Sequence, residues 1–382
     1  MAKTFKAGVD AGNNSLKLWA DGSEPLMIPS IYSTYVGNTT EGFDVADFTP
    51  EQLVENIDIT IVSSKAIPMT NSRYIVGSKV LQDRLTPVEM ESKSNKSLDI
   101  TPVILTLAGL TVDAIKRNSG KNKINISYDI ALALPVNTIT QEAAKVHSER
   151  FIGTHEIIFH HESGKKIEVV ITIEFSKCIP EGAAASWGVV FDEKGKLIKR
   201  KVEEFGEIKE KTFENAKMFH VDIGAGTSEL VTTQGVQYFP KLSKGLGYGT
   251  KEDINKILTL WNREVPRYPI DSVAEFNEIY YNAEHHLHSR LELFSKDALH
   301  QLAERLSVDI INQINYVKDS VHIFIYGGGS IILKNALQEI LEQKGYLENV
   351  TFLNDPLYVN ARGLLVFASS PIFEQQKKTV GV

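Results

Sequence analysis

Two stretches of the chain place a carboxylate just before a glycine turn, a combination that suits phosphate and metal chemistry. Residues 9–19 read VDAGNNSLKLW and residues 221–231 read VDIGAGTSELV. In both, an apolar run reaches an aspartate, a glycine follows two residues later, and a small polar run leads into more apolar residues. Glycine lets backbone N–H groups approach phosphate oxygens without a Cβ in the way. Each stretch therefore predicts a strand, a phosphate-binding turn and a returning strand.

The two aspartates, Asp10 and Asp222, are candidate ligands for a divalent cation. The phosphates of a nucleotide travel with a hard cation that prefers oxygen ligands and keeps several of its waters. We expect both carboxylates to hold Mg²⁺ through such waters. Lys17, seven residues after Asp10, would reach the phosphates as a point charge. Either stretch alone is also typical of an ordinary hairpin, so the prediction of a shared ligand depends on their repetition.

A third stretch, residues 325–337, reads IYGGGSIILKNAL and predicts a strand, a glycine turn and a helix. The N-terminus of a helix presents free N–H groups and favours an anion. The dinucleotide fingerprint Gly-x-Gly-x-x-Gly is absent here, because Ile331 and Ile332 interrupt it. The chain also lacks the P-loop pattern Gly-x-x-x-x-Gly-Lys-Ser/Thr. Nucleotide binding would therefore use a different arrangement of turns.

Composition limits the class of protein. A chain of 382 residues suggests about two domains. The net charge of −7 argues against broad electrostatic binding to nucleic acid, so we expect no direct DNA binding. The single cysteine, Cys178, excludes an internal disulfide, fits a reducing cytoplasm and is expected to be a small buried side chain. Since no apolar run approaches about eighteen residues, we expect no membrane span.

Strands and helices alternate along the chain, which favours an α/β architecture. Residues 101–120 predict a helix with Thr101 as its N-cap. Residues 180–191 predict another helix, with Glu181 in its first turn. Residues 192–217 are dense in Lys and Glu and predict a solvated loop and hairpin.

Residues 272–318 predict helices, and a final helix is expected from about Pro356, before a polar C-terminus that should fray. Three histidines, His285, His286 and His288, fall in one predicted helix. His285 and His288 share a face by their spacing, but no Cys or carboxylate partner is evident. A polar helix face is therefore favoured over a metal site.

Five stretches, taken in order, resemble the signatures of the actin, chaperone-ATPase and sugar-kinase superfamily. They read GVDAGNNSLKLW, CIPEGAAASWGVV, HVDIGAGTSELV, IYGGGSIILKNAL and NARGLLVFA. These match its first phosphate loop, first connecting helix, second phosphate loop, adenosine loop and second connecting helix. The resemblance implies an actin-like (ribonuclease H-like) two-domain fold with a nucleotide cleft between the domains. Domain I would comprise residues 1–190 plus 357–382, and domain II residues 191–356.

Within this superfamily the chain looks most like the bacterial plasmid-segregation actins, the ParM group. The stretch IPEGAAA resembles the connecting helix of that group, in which a glutamate follows a proline. The resemblance nominates Glu181 as the residue that orients or deprotonates the attacking water, with Asp10 and Asp222 completing the catalytic set. One carboxylate and a metal suffice for phosphoryl transfer, which needs mainly alignment and charge neutralisation. The alternative for Glu181 is a first-turn carboxylate that only complements the helix dipole.

The resemblance implies an ATPase with ATP or GTP and Mg²⁺ as its cofactors. The residues that it assigns to nucleotide binding lie in three turns. They are Gly12, Asn13, Asn14, Ser15 and Lys17 in the first, Gly224, Ala225, Gly226 and Thr227 in the second, and Gly327, Gly328, Gly329 and Ser330 in the third.

The resemblance also implies partners. Subunits that add head to tail without closing a ring form a filament, and the ParM group uses such filaments to move plasmid DNA through an adaptor protein in the cytoplasm. Two alternatives stay open at this point: a small-molecule kinase of the same fold, and a scaffold that binds nucleotide without hydrolysing it. Phosphate release distinguishes the scaffold, and nucleotide-dependent light scattering distinguishes the kinase.

Overall fold

The structure is a computed structural model that describes residues 3–35, 46–90, 96–204, 207–318 and 321–381. Its internal contacts divide the chain into two compact units. Unit 1 comprises Met1–Leu134, Thr138–Pro180 and Ala361–Val382, and unit 2 comprises Pro135–Asn137 and Glu181–Asn360. The α/β class expected from the sequence is confirmed in both units. The predicted domain boundaries stay a prediction; they differ from the units in assigning residues 135–137, 181–190 and 357–360 to the first domain.

Unit 1 is built on one mixed sheet, which has ten strands in the described residues. The strands are β1 (Thr4–Ala11), β2 (Ser15–Ala20), β3 (Leu26–Pro29), β4 (Ile31–Thr34), β5 (Ile57–Ser64), β6 (Ser72–Val76), β7 (Val88–Glu89), β8 (Lys123–Leu134), β9 (Gly153–His160) and β10 (Lys166–Pro180). Their order across the sheet is β3-β2-β1-β8-β10-β9-β5-β6-β4-β7. The intervening helices are α1 (Ser78–Gln82), α2 (Thr101–Arg117) and α3 (Gln141–Phe151), with a 3₁₀ turn at Gln52–Glu55.

Unit 2 contains a six-stranded sheet and, beside it, a two-stranded hairpin in the described residues. Its strands are β11 (Arg200–Glu204), β12 (Glu207–Lys211), β13 (Lys217–Ile223), β14 (Ser228–Gln234), β15 (Gln237–Tyr238), β16 (Lys244–Leu246), β17 (His322–Tyr326) and β18 (Val350–Phe352). Its helices are α4 (Ala183–Val190), α5 (Lys251–Glu264), α6 (Val273–Tyr281), α7 (His288–Val317) and α8 (Gly328–Gln343), with a 3₁₀ turn at Pro240–Leu242. The hairpin of β11 and β12 confirms the predicted polar segment. Helix α9 (Val359–Ala368) runs from the end of unit 2 into unit 1, where α10 (Pro371–Thr379) follows.

The centre of unit 1 forms where α2 covers the strands that lead to the first hairpin. From Tyr128, strand β8, which pairs with β1 on one side and β10 on the other, is buried at every residue. Gly109 of α2 allows a close approach, since a Cβ there would lie 3.1 Å from Leu18 Cδ1 of β2. The large core around α2 therefore fixes the position of β1 and β2. Cys178 is buried in this core, as expected.

Two predicted helix ends were wrong. Helix α2 begins at Thr101 itself, because the Asp99 carboxylate accepts the hydrogen bond of the Thr101 N–H at 2.8 Å and takes over the capping role. The last helix predicted from about Pro356 begins at Val359.

The C-terminal segment, expected to fray, forms α10. Phe373 is fully buried there, and the Lys377 ammonium donates to the buried Asp129 carboxylate at 2.9 Å and to Glu174 at 2.9 Å. Lys6 of β1 pairs with the same Asp129 at 2.7 Å. These ion pairs join residues far apart in sequence, so no local pattern revealed them.

Candidate functional site

The first predicted hairpin lies in unit 1, where β1 and β2 form an antiparallel pair. At the turn the Gly12 N–H donates to Ser15 O at 3.2 Å. Ser30, which directly follows β3, holds the turn from outside: its hydroxyl donates to Gly12 O at 2.6 Å and its N–H donates to Asn14 O at 2.9 Å. A Cβ on Gly12 would lie 3.0 Å from Ser15 O, so glycine keeps this turn tight.

The charged residues of the first hairpin face the same way. Asp10 lies directly opposite Lys17 in the β1–β2 register, and opposed residues of an antiparallel pair share a face. Asp10 is 7% exposed, and Lys17 Nζ lies 3.6 Å from the place that a Cβ of Gly12 would occupy. The ammonium group is therefore held over the turn. Asn13 is buried beside it, and its Oδ1 has no hydrogen-bond partner.

The second predicted hairpin lies in unit 2, between β13 and β14. The Gly224 N–H donates to Thr227 O at 3.0 Å, which repeats the bond between Gly12 and Ser15. The start of α5 supports this turn, because the Thr250 N–H donates to Gly224 O at 3.1 Å and the Lys251 N–H donates to Ala225 O at 2.9 Å.

Asp222, near the end of β13, is held by a hydrogen bond from a residue far along the chain. It is 7% exposed, and its Oδ2 accepts a hydrogen bond at 2.7 Å from Nδ2 of Asn360, which is also buried. The residue opposite Asp222 in the register is Glu229, which is 1% exposed. The second hairpin thus places two buried carboxylates on one face, where the first places a carboxylate and an ammonium.

The third predicted turn joins β17 to α8 and packs against the end of β13. Gly327 has φ +86°, and a Cβ there would lie 2.6 Å from Ile223 O and clash with the Asp222 carboxylate. Ser330 closes the turn, with its hydroxyl donating to Gly327 O at 2.8 Å and its N–H at 3.1 Å. The turns at residues 224–227 and 327–330, both in unit 2, therefore both lie next to Asp222.

Glu181 precedes α4 rather than lying in its first turn, so that prediction was wrong. Pro180 ends β10, and Gly182, with φ +78°, is the N-cap. A Cβ on Gly182 would lie 2.5 Å from Val231 Cγ2, so the chain beside Glu181 packs on β14. Since Val231 and Glu229 are two residues apart on that strand, they share a face. The buried Glu181 therefore lies on the side of the sheet that carries Glu229 and Asp222.

The structure thus gathers the predicted residues within each unit. Unit 1 holds Asp10, Lys17 and the turn at residues 12–15, and unit 2 holds Asp222, Glu181 and the turns at residues 224–227 and 327–330. Sequence reasoning missed Glu229 and Asn360. Glu229 had a signal, since it follows Asp222 by seven residues as Lys17 follows Asp10. Asn360 is 138 residues from Asp222 and had none.

The histidines lie elsewhere. His285 and His286 precede α7 and His288 begins it, so the prediction of one helix was wrong. His288 Nδ1 contacts Ile279 O at 3.2 Å. Among the residues that the structure describes, no group of three His, Cys, Asp or Glu side chains is placed to hold a metal directly. In the same residues, no helix combines the length and apolar character needed to cross a membrane.

Two protein-family models match the chain. The model of the N-terminal domain of actin-like proteins matches residues 8–183, and the model of the C-terminal domain of the archaeal MreB-like actin homologue matches residues 220–339. The chain therefore belongs to the actin-like proteins. No curated protein sequence matches it.

Solved structures share the fold. The actin-like protein Alp7A is 17% identical with a TM-score of 0.72, and the alignment covers 98% of each chain. ParM of Bacillus thuringiensis with AMPPNP is 17% identical with a TM-score of 0.64, covering 98% of this chain and 100% of that one. Apo pSK41 ParM is 16% identical with a TM-score of 0.62, covering 99% and 100%. The predicted actin-like fold, with ParM among its structural neighbours, is confirmed.

The residues present fit a magnesium nucleotide. A Cβ on Gly12, Gly224 or Gly327 would meet nearby backbone or carboxylate oxygens, so the turns need glycine at these positions. Glycine also lets backbone N–H groups approach phosphate oxygens without a Cβ in the way. The orphaned Asn13 Oδ1 is an acceptor that a hydrated cation satisfies. Buried carboxylate oxygens at Asp10 and Asp222 are the hard ligands that Mg²⁺ prefers, directly or through its waters.

Proposed function

We propose that this chain is a ParM-like actin that binds and hydrolyses ATP with Mg²⁺ and polymerises into dynamic filaments for plasmid DNA segregation. The observation that carries the proposal is the repeated hairpin, with Asp10 and Asp222 at equivalent places beside glycine turns. The shared fold supports it, since solved Bacillus thuringiensis ParM structures contain AMPPNP, ADP and ATP.

Nucleotide binding would use both hairpins on one ligand. Backbone N–H groups of residues 12–15 and 224–227 would donate to phosphate oxygens, and the turn at residues 327–330 would contact the nucleoside. Lys17 would neutralise phosphate charge from its place over the first turn. Asp10 and Asp222 would hold the waters of Mg²⁺, which when bound stabilises the charge on the phosphates.

Hydrolysis would depend on Glu181. A buried carboxylate next to the phosphate-binding turns can accept a hydrogen bond from the attacking water, orient it and take its proton. Its side of the sheet also carries Glu229 and Asp222, which together make this region the acidic part of the site.

Filament formation and the movement of plasmid DNA are proposed from the similarity to the ParM group. Identical subunits that add head to tail make a heterologous contact that extends indefinitely. The net charge of −7 disfavours direct DNA binding, so a DNA-binding adaptor would link the filament to the plasmid in the cytoplasm.

The experiment combines phosphate release with light scattering after addition of Mg²⁺ and either ATP or GTP. We expect release without any added phosphate acceptor, and scattering that rises and then decays. Glu181→Gln should reduce release by about a hundredfold or more while nucleotide binding persists, so that scattering rises and stays high. Glu193→Gln, which changes an exposed carboxylate, is the matched control.

The same data separate the alternatives. An intact protein that releases no phosphate contradicts the ATPase proposal and favours a non-hydrolysing scaffold. ADP formation that requires a small-molecule acceptor, with the phosphoryl group transferred to that acceptor and no rise in scattering, favours the kinase.

A further inference from the structure

A tyrosine hydroxyl is bonded to the third glycine turn from a different helix. Tyr281, the last residue of α6, donates its hydroxyl hydrogen to Gly328 O at 3.1 Å. A Cβ on Gly328 would lie 2.8 Å from the same hydroxyl oxygen, so glycine is what permits the contact. Burial raises the pKa of Tyr281, which keeps the hydroxyl protonated and able to donate.

The hydrogen bond from Tyr281 also fixes the orientation of the peptide group between Gly328 and Gly329, because a peptide group is planar. The carbonyl of Gly328 and the N–H of Gly329 belong to one peptide and point in opposite directions. Holding the carbonyl therefore fixes the direction of the Gly329 N–H. That N–H is among the first of α8, which lack acceptors within the helix and can bind a ligand.

The helix that carries Tyr281 is itself well anchored. The Ser272 hydroxyl caps its start by accepting from the Glu275 N–H at 3.1 Å, and Phe276 and Ile279 are buried in the core of unit 2. The tyrosine is thus presented from a rigid element. Its neighbour Tyr280 has a different role, with its ring stacked on Phe276 at a centroid distance of 5.5 Å.

We propose that Tyr281 is a positioning residue for the nucleoside part of the nucleotide, because its hydroxyl orients the turn at residues 327–330. This inference rests on the proposed function and names a residue on which affinity for the nucleoside depends. Tyr281 acts through the turn and not on the phosphates, so its loss should affect binding more than turnover.

The test compares Tyr281→Phe with Tyr280→Phe, which removes a hydroxyl one residue away. Removing one hydrogen bond should raise the KM for ATP about fivefold in Tyr281→Phe, with kcat reduced far less. Tyr280→Phe should retain the wild-type KM. A Tyr281→Phe protein with a KM equal to that of Tyr280→Phe would overturn the inference.

A second variant guards against a general loss of structure. Gly328→Ala should displace the tyrosine hydroxyl and raise KM as Tyr281→Phe does, and the double variant should be no worse than either single one, since both break the same bond. Additive effects would contradict the inference. Wild-type protein that binds no nucleotide at all would instead contradict the proposed function, so the two failures are distinguishable.

Discussion

The two hairpins share a backbone plan and differ in the side chain that faces the aspartate. Asp10 is opposite Lys17 in unit 1, and Asp222 is opposite Glu229 in unit 2, each seven residues further along the chain. The same geometry therefore presents a neutral charge pair in one unit and two carboxylates in the other. The repeated sequence determines the backbone conformation of both hairpins. The residue opposite each aspartate determines the charge that the hairpin presents.

Support for the turns differs as well. The first turn is held by Ser30 and has the Lys17 ammonium over it. The second is held by the start of α5, and the turn at residues 327–330 packs against the strand that leads into it. Under the proposed function, unit 1 contributes an ammonium group beside its carboxylate Asp10, whereas the facing pair in unit 2 consists of two carboxylates.

The largest expected effect is a loss of stability when a side chain is added to the glycine turn at residues 327–330. Gly327→Ala forces a Cβ into the carbonyl of Ile223 at positive φ, and should lower the free energy of unfolding by roughly 3 kcal/mol or more. Urea denaturation measures it. Gly345→Ala, at the other end of α8 with φ +72° and no atom within 4 Å, is the control and should cost about 1 kcal/mol.

The same substitution at Gly12, in the turn of the first hairpin, provides the comparison with Gly327. Gly12→Ala meets Ser15 O at 3.0 Å without positive φ, so we expect a smaller loss of stability than for Gly327→Ala. Equal losses would show that the two turns are packed alike, against our account.

The second prediction concerns the stability of the two units at acidic pH, where each contains a buried histidine with a lowered pKa. Burial lowers the pKa of His147 in unit 1 to about 3 and that of His220 in unit 2 to about 3, from an ordinary value of 6.5. Unfolded chains bind protons that the folded units exclude, so stability should fall as pH drops from about 6.5 towards about 3, by up to about 1.4 kcal/mol per pH unit for each histidine.

Urea unfolding between about pH 6 and about pH 4 checks this prediction. His147→Gln and His220→Gln should each flatten the pH dependence, whereas His300→Gln, whose side chain is 39% exposed, serves as the control. A slope that is unchanged in both core variants would contradict the assignment to these histidines.

The third prediction uses the residues that face the aspartates. Lys17→Met removes a positive charge near the phosphates and should weaken ATP binding about tenfold, more at low salt than at high salt. Glu229→Gln removes a negative charge and should leave affinity equal or higher while slowing phosphate release. Equilibrium titration with a fluorescent ATP analogue and phosphate release measure the two effects. Weaker binding in both variants would remove the proposed difference between the hairpins.

The elements predicted from sequence were those with a local pattern. The two hairpins and the strand–turn–helix at β17 and α8 could be predicted because apolar periodicity and glycines mark them within a short window. Pro180 and Glu181 were expected to open α4, but β10 continues through Pro180 and Gly182 provides the cap.

The contacts that complete the site had no local pattern. Asn360 fixes Asp222 from 138 residues away, and Tyr281 bonds Gly328 from 47 residues away. The docking of α10 through Lys377 and Asp129 spans 248 residues. Such pairs depend on tertiary packing, which a single sequence does not display. Glu229 is the exception, because comparison of the repeated stretches reveals it.

The central claim is that the two hairpins bind one magnesium nucleotide together, and calorimetric titration with ATP in the presence and absence of Mg²⁺ tests it most directly. Asp10→Asn and Asp222→Asn should each remove most of the Mg²⁺-dependent gain in affinity, while Asp297→Asn, an exposed control, should behave as wild type. Wild-type protein should bind one nucleotide per chain. Wild-type affinity in either Asp10→Asn or Asp222→Asn, or a second independent nucleotide per chain, would contradict the account.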